Sequence, residues 1–384
     1  PSTTAKDVAT AEIRALRAHY YQILMDLYGG VPLFKETTTT TNLAKSTRTE
    51  VFNFVESELK TALLVLPNAV SYARVTAPVV QAMLARLYLN AEVYTGVTKW
   101  AEATTAADAV INSGFYNLSA NFEDNFSPTN EGSKENIFVV PFNEISVQGN
   151  NIVQMTMHYG NQVTYNLQNQ PWNGYCTMEE FYNSFSSNDK RLSKSLLVGP
   201  QFASDGTTPI VDGAADPTDP DGLKLVFVPK VNELEPTAWR EGGARIFKFP
   251  PKFNATQNLD NDFPIYRYAD VLLMKAEAQY KLGNSAVAQT LINQVRTRAG
   301  LTGISSVTDD AILAERGREL FAEAVRRTDL IRFGKFENFL SSPLFPPSKT
   351  FGPISNPNAT FKRIYPFPKT ALANNTALVQ NPGY

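Results

Sequence analysis

A mainly α-helical scaffold is the fold class that the sequence predicts: degenerate, tetratricopeptide-like helix pairs in a right-handed arrangement, with a large irregular, loop-rich insertion packed on them. Three observations carry this. Segments toward both ends place apolar residues at spacings of three and four. Two of these segments repeat a helix, glycine-turn, helix plan with small residues at matching places. Between them, from Ser119 to about Asp262, runs a stretch rich in Asn, Gly, Ser, Thr and Pro that has no long helical stripe.

Ala11 to Tyr28 reads as the first helix, with Ile13, Leu16, Tyr20, Ile23, Leu24 and Leu27 on one face. Gly29-Gly30 stops it and Val31-Pro32 forces an extended exit. The Thr run 37–41 is a loop. Thr47 and Glu50 form a capping-box pattern ahead of Val51, Phe54, Val55, Leu59, Ala62 and Leu63. A further helix starts at Thr76-Ala77-Pro78 and runs to Thr95-Gly96; Lys99 to Ser113 is its partner. Ala82, Ala85, Leu89 and Gly96, then Trp100, Ala103 and Ala107, form one copy of the repeat. Ala276, Ala278, Tyr280 and Gly283, then Ala286, Ala288 and Leu291, form the second. In the insertion, 136–142 reads as a short strand, 178–185 as a short helix, and 223–229 and 245–249 as extended. The helical plan resumes at Pro264. Glu315 to Phe336 then reads as one amphipathic helix, with Thr308 as N-cap and Glu315/Arg318, Glu323/Arg327 and Asp329/Arg332 within one turn of each other. Prolines 343, 346, 347, 353 and 357 mark an irregular tail. The expected organisation is one domain: helical repeats over 1–118, insertion over 119–262, repeats over 263–340 and a Pro-rich tail over 341–384.

Composition narrows the function. The 384 residues carry a net charge of −2, which supplies no drive toward nucleic acid. Aromatic side chains are plentiful, with 16 Tyr, 24 Phe and 3 Trp. Cys176 is the only cysteine, so no intrachain disulfide forms. No apolar run approaches the roughly 18 residues of a membrane span. The chain opens at Pro1 and reads as a processed or truncated form. A nucleophile elbow, an HExxH zinc motif, a phosphate-binding Gly loop and a dinucleotide fingerprint are all missing, and no enzyme is expected. Glu179, Glu180 and Asp189 are the carboxylates a glycosidase reading would use; surface charge is the competing account.

Four segments share a pattern in the same order: Tyr20 to Leu33, Arg267 to Gly283, Glu315 to Phe336, and the tail with Tyr365-Pro366-Phe367-Pro368 and Gln380-Asn381-Pro382-Gly383-Tyr384. They resemble the SusD/RagB family of nutrient-binding lipoproteins from Bacteroidetes, the tail most specifically. Phe367, where the family usually has Ile, Gly317 and Ala324 depart from the pattern. The resemblance does not reach the insertion. It implies a protein lipid-anchored on the outer face of the outer membrane, through a lipidated N-terminal part not present in this chain. It implies ligand capture without chemistry, and delivery to a SusC-like TonB-dependent transporter as partner. The implied ligand is a glycan; a RagB-like minority binds peptides.

A sugar site needs flat aromatic faces with amides and Arg nearby, set on loops held by a rigid scaffold. Residues 159–175 fit best. Tyr159, Tyr165, Trp172 and Tyr175 interleave there with Gln168, Asn173 and other amides, and His158 precedes them. Asn173-Gly174 reads as a turn presenting Trp172 outward. Trp239-Arg240 is the second choice. The competing account is that Trp172 and Tyr175 pack the insertion onto the helices; a repeat scaffold that binds only proteins likewise expects no exposed aromatic platform. Asp212, Asp216, Asp219 and Asp221 crowd one Pro/Gly loop, where calcium is the only cofactor to consider and a solvated acidic loop is the alternative.

Overall fold

Capping chemistry sets the first two helices. The Thr4 hydroxyl accepts from the Asp7 N–H, and the Asp7 carboxylate accepts from the Thr4 N–H, at the start of α1 (Ala5–Tyr28). Thr47 and Glu50 do the same for α2 (Arg48–Leu63), as the sequence predicts. α3 (Ala77–Leu89), the short α4 (Ala91–Thr95) and α5 (Trp100–Asn112) complete the first half of the scaffold. The computed structural model describes residues 4–35, 37–212, 223–232, 238–337 and 360–384. Prolines 343, 346, 347, 353 and 357 lie outside these residues.

β1 (Asn136–Val140) leads into the insertion. There follow the short helices α6 (Ile152–Thr156), α7 (Gln162–Tyr165), α8 (Glu179–Asn183) and α9 (Leu192–Ser195) and the two-residue strands β2 (Leu196–Leu197), β3 (Gly199–Pro200), β4 (Val226–Phe227) and β5 (Arg245–Ile246). β6 (Phe263–Arg267) leads out, then α10 (Tyr268–Lys281), α11 (Ser285–Arg298), α12 (Asp309–Glu319), α13 (Arg326–Arg332) and α14 (Lys369–Asn374). All three strand pairs, β1 with β6, β2 with β5 and β3 with β4, are antiparallel.

α1 packs on α2, α3 on α5, and α10 on both α5 and α11. Small residues make these approaches possible: Ala82, Ala85, Ala103, Ala107, Ala276, Ala278 and Ala288 are all buried. Ala286 is exposed and takes no part. The insertion has its own core of Phe122, Phe126, Val153, Met157, Leu167, Phe249 and Leu259. The tail closes on α1. Asn381 donates to the carbonyls of Tyr28 and Tyr365, both at 2.8 Å, and Tyr28 stacks on Phe367 with centroids 5.4 Å apart. The terminal motif therefore has a structural job, tying chain end to first helix.

Three sequence readings are refined by the structure. The shared apolar face of α1 looks mostly outward: Ile13, Tyr20, Ile23 and Leu24 are exposed and Leu27 is half-buried, while Leu16 packs against the core and Ala11, Ala15, Ala18, His19, Gln22 and Met25 are buried. Close packing on α2 selects small side chains for the buried face. Second, Pro264 opens no helix. It lies in β6 opposite Val139, and α10 starts only at Tyr268.

Third, 315–336 is two helices. α12 ends at Glu319, Ala322 and Ala324 take left-handed φ values of 59° and 60°, and α13 begins at Arg326. Buried cations explain the break. Lys248 Nζ donates to the carbonyls of Glu319 and Phe321 at 2.8 and 2.9 Å, and Arg267 donates to that of Glu319 at 3.0 Å. The last carbonyls of α12 are satisfied from outside, which offsets roughly 1–2 kcal/mol of strain at each alanine. Gly317 leaves room for the same turn, because a Cβ there would lie 2.8 Å from the Arg326 guanidinium, which reaches the Leu313 carbonyl at 2.7 Å.

The break also redirects the charges. Glu315–Arg318 and Asp329–Arg332 form as predicted, at 2.8 and 2.7 Å. Glu323 instead turns inward to Lys248 and Arg267, at 2.6 and 2.7 Å, and Arg327 pairs with Asp26 on α1 at 2.6 Å. The charged face is buried, with Glu315, Arg316, Glu319 and Asp329 all inside. Arg267 reaches Glu135, Glu319 and Glu323, while Arg191 reaches Asp189, Glu315 and Glu319. Insertion and scaffold thus share one ionic core.

Candidate functional site

The loop 171–175 is fixed by its backbone. Trp172 N–H donates to the Gln154 carbonyl at 2.7 Å and Asn173 N–H to that of Met157 at 2.9 Å. Gly174 and Tyr175 both donate to the Met155 carbonyl, at 2.8 and 3.0 Å. The Thr156 hydroxyl donates to the Tyr175 carbonyl at 2.9 Å. α6 and the residue after it therefore act as a template. Asn173 takes the left-handed conformation, φ 53°, that the Asn-Gly turn predicts. Trp172 and Tyr175 are 50% and 63% exposed, which decides against packing as their main role.

Trp239-Arg240 comes to the same place. The Asn173 side-chain amide donates to the Arg240 carbonyl at 3.0 Å, and Arg245 donates to the Asn173 side-chain oxygen at 2.9 Å and to the Arg240 carbonyl. Trp239 is 38% exposed, and its N–H is held by the Asn232 side chain at 2.8 Å. The two stretches that sequence reasoning ranked first and second are thus neighbours. Arg240 Nε lies 3.1 Å from Asp212 Oδ2.

The remaining candidates are placed differently. Tyr159 is exposed at 37% and its ring leans on His158, centroids 5.1 Å apart. Gln168 is exposed but tied to the 254–255 segment, donating to the Asn254 carbonyl at 3.2 Å. Tyr165 packs beside Phe247 in the insertion core, and burial pushes its phenol up to about 12. His158 is buried, with Nδ1 accepting from Gly160 N–H at 3.1 Å, so its ring offers no face to a ligand, while Tyr165 is half-buried. Asp189 is likewise not a surface carboxylate; it is buried against Arg191 at 2.8 Å. Asp212 is buried between Arg240 and His158, while Asp216, Asp219 and Asp221 lie outside the described residues. Among the described residues no three His, Cys, Asp or Glu side chains are grouped to hold a metal ion.

Sequence reasoning missed Gly243 and Arg245. Gly243 has φ 81°, and a Cβ there would sit 2.3 Å from Cys176 Sγ. Arg245 was legible only as part of an extended stretch. Its inward aim follows from the β2–β5 register, Leu197 opposite Arg245, which no local pattern announces.

Two buried histidines make the fold acid-sensitive. Burial lowers His158 to about 4, overriding the nearby Asp212, and burial with Arg86 nearby lowers His19 to about 4. The unfolded chain binds these protons near pH 6.5. Stability is therefore complete above that value and falls as pH drops from 6.5 toward 4. For His19 the loss is on the order of 2–3 kcal/mol across the window. Urea unfolding at pH 7, 6 and 5 checks this; H19Q is expected to flatten the slope, and an unchanged slope would refute the assignment.

The comparisons agree with the architecture. The model of the SusD family matches residues 134–384, and a model described as starch-binding, associating with the outer membrane, matches residues 2–89. The starch-binding protein SusD of Bacteroides thetaiotaomicron is 27% identical over 406 residues, spanning 97% of this chain and 72% of that protein. Surface glycan-binding protein A from Bacteroides thetaiotaomicron superposes with a TM-score of 0.77 at 24% identity, covering 100% of this chain and 79% of that one. A laminarin-binding SusD-like protein gives 0.75 at 25% identity, covering 100% and 80%. With a family model spanning both strands of the β1–β6 pair, the ionic core and the closing tail, this chain belongs to the SusD family.

Proposed function

We propose that this protein captures a glycan at the cell surface, on the platform formed by Trp172, Tyr175 and Trp239. The observation that carries this is that exposed aromatic rings from two separate loops are held together on a hydrogen-bonded base. Flat apolar ring faces suit the C–H faces of sugars, and the rigid base limits the ordering cost of binding. The starch- and laminarin-binding relatives support the choice of ligand class. In this reading the protein is a binding protein without catalytic chemistry. It is held at the outer membrane by a lipid, and it hands its ligand to a SusC-like TonB-dependent transporter.

Titration calorimetry tests the reading, with laminarihexaose, maltohexaose and a mixed peptide pool as probes. Saturable heat from an oligosaccharide is expected. Trp172→Ala is expected to weaken binding by about thirtyfold, the effect of removing a hot-spot residue worth about 2 kcal/mol. Heat from the peptides alone would move the protein to the peptide-binding class. An unchanged affinity in Trp172→Ala would place the site elsewhere.

A further inference from the structure

Trp172 and Trp239 sit on loops whose bridging residues, Asn173 and Arg240, are 67 positions apart in the chain. A platform needs its rings at fixed spacing, and something must hold these loops in register. Arg245 is placed to do so. It is buried, lies on the Phe227 ring at 4.6 Å, and donates to the carbonyls of Gly242 and Gly243, both at 2.7 Å, and to that of Arg240. Its remaining reach is to Asn173 Oδ1 at 2.9 Å. Since a guanidinium only donates and a carbonyl only accepts, the Asn173 amide has one orientation: oxygen to Arg245, nitrogen to Arg240.

The arrangement is costly for stability alone. Arg245 makes no ion pair among the described residues, and a buried cation on neutral acceptors is less favourable than an apolar side chain of similar size. What the guanidinium provides is geometry, because its planar fork fixes several acceptors at once. Asn173, for its part, is committed to the protein at both ends of its amide.

We infer that Arg245, acting through Asn173, is the positioning residue of the platform: it locks loop 171–175 to loop 239–243 so that one extended oligosaccharide meets the rings of both. This rests on the glycan-binding reading above. It adds a length preference, because joining two contact areas rigidly favours a ligand that spans them over one that touches a single loop.

The test uses N173G, which keeps the left-handed backbone at no steric cost, removes the amide bridge and loosens the backbone at 173, with R245Q beside it to break the bridge without touching that backbone. Affinity is measured for laminarihexaose and laminaribiose, and for maltohexaose and maltose. Each variant is expected to lose about tenfold for the bound hexasaccharide and less than about threefold for its disaccharide. A hexasaccharide affinity within twofold of wild type overturns the proposal, as does an equal loss for both lengths. If W172A abolishes binding while N173G does not alter it, the clasp is wrong and the platform stands; if W172A has no effect, the platform itself fails. Amide hydrogen exchange needs no ligand and decides the matter if no probe binds. N173G is expected to accelerate exchange in both 172–175 and 239–243, and unchanged exchange in 239–243 overturns the clasp. Should R245Q fail to fold, N173G carries the test.

Discussion

Replacing Glu319 by alanine is expected to cost about 3–5 kcal/mol, the range for breaking one partner out of a buried ion network. Glu319 is fully buried at the end of α12, 3.0 Å from Arg267 and 2.9 Å from Arg191, with Arg298 also against it. Alanine would take from Arg267, Arg191 and Arg298 the one carboxylate that all three share, in a medium that solvates none of them. Glu319→Gln should be nearly as damaging, since an amide keeps the shape but not the charge. By contrast Glu102→Ala, which removes an exposed partner 3.4 Å from Lys99, is expected to stay within about 0.5 kcal/mol. Urea unfolding of the three variants reads the difference; a loss below about 1 kcal/mol in Glu319→Ala would contradict the account of the network. The acid profile separates this residue from the histidines. Burial alone would raise its carboxyl, but Arg298, Arg267 and Arg191 overrule burial and hold it well below the usual carboxylate range. Its contribution is present above the unfolded value near 4.3 and is lost only as pH falls through the lower folded one. Loss of stability between pH 6.5 and 5 therefore comes from elsewhere.

The second large effect is expected at Gly243. Alanine there meets a left-handed backbone and three close atoms: Cys176 Sγ at 2.3 Å, Cys176 Cβ at 2.7 Å and the Thr177 carbonyl at 2.9 Å. Backbone strain of about 1–3 kcal/mol and overpacking of similar size add up to a loss of roughly 2–5 kcal/mol. The damage falls where Thr177 N–H meets the Ala244 carbonyl at 2.9 Å, directly behind the aromatic face, so ligand affinity should fall with stability. Changing Cys176 to Gly in the same chain removes two of the three clashes and should restore part of both. Thermal unfolding and calorimetry on the single and double variants measure the recovery. No recovery would mean that the backbone alone, and not the contact with Cys176, makes glycine necessary.

What the sequence reveals here depends on how local the cause is. The Thr47/Glu50 capping box and the Asn173-Gly174 turn are chemistry within a few residues, and they form as read. The stretch 159–175 was legible as aromatic and amide-rich, but whether Trp172 and Tyr175 pack or face outward was not, because that depends on which backbone the loop docks on. The direction of the α1 stripe was not legible, because periodicity reports a face, not which face a neighbouring helix takes. The break after Glu319 was invisible for a stronger reason. Its cause is Lys248, 71 residues earlier in the chain, donating into a helix end. Arg245 escaped notice in the same way, since its partners belong to two loops that only the folded chain assembles.

The β1–β6 pair has a consequence for how such proteins change over evolutionary time. Asn136 lies opposite Arg267 and Val140 opposite Phe263, so residues 141–262 leave and rejoin the scaffold at one doorway. Closing a longer or shorter loop across that doorway alters the entropic cost only slowly with length. Most of the insertion can thus be exchanged while the helices stay untouched. The exchange has a fixed toll: Arg191 and Lys248 must be kept or replaced in kind, because the helices have left charges waiting for them.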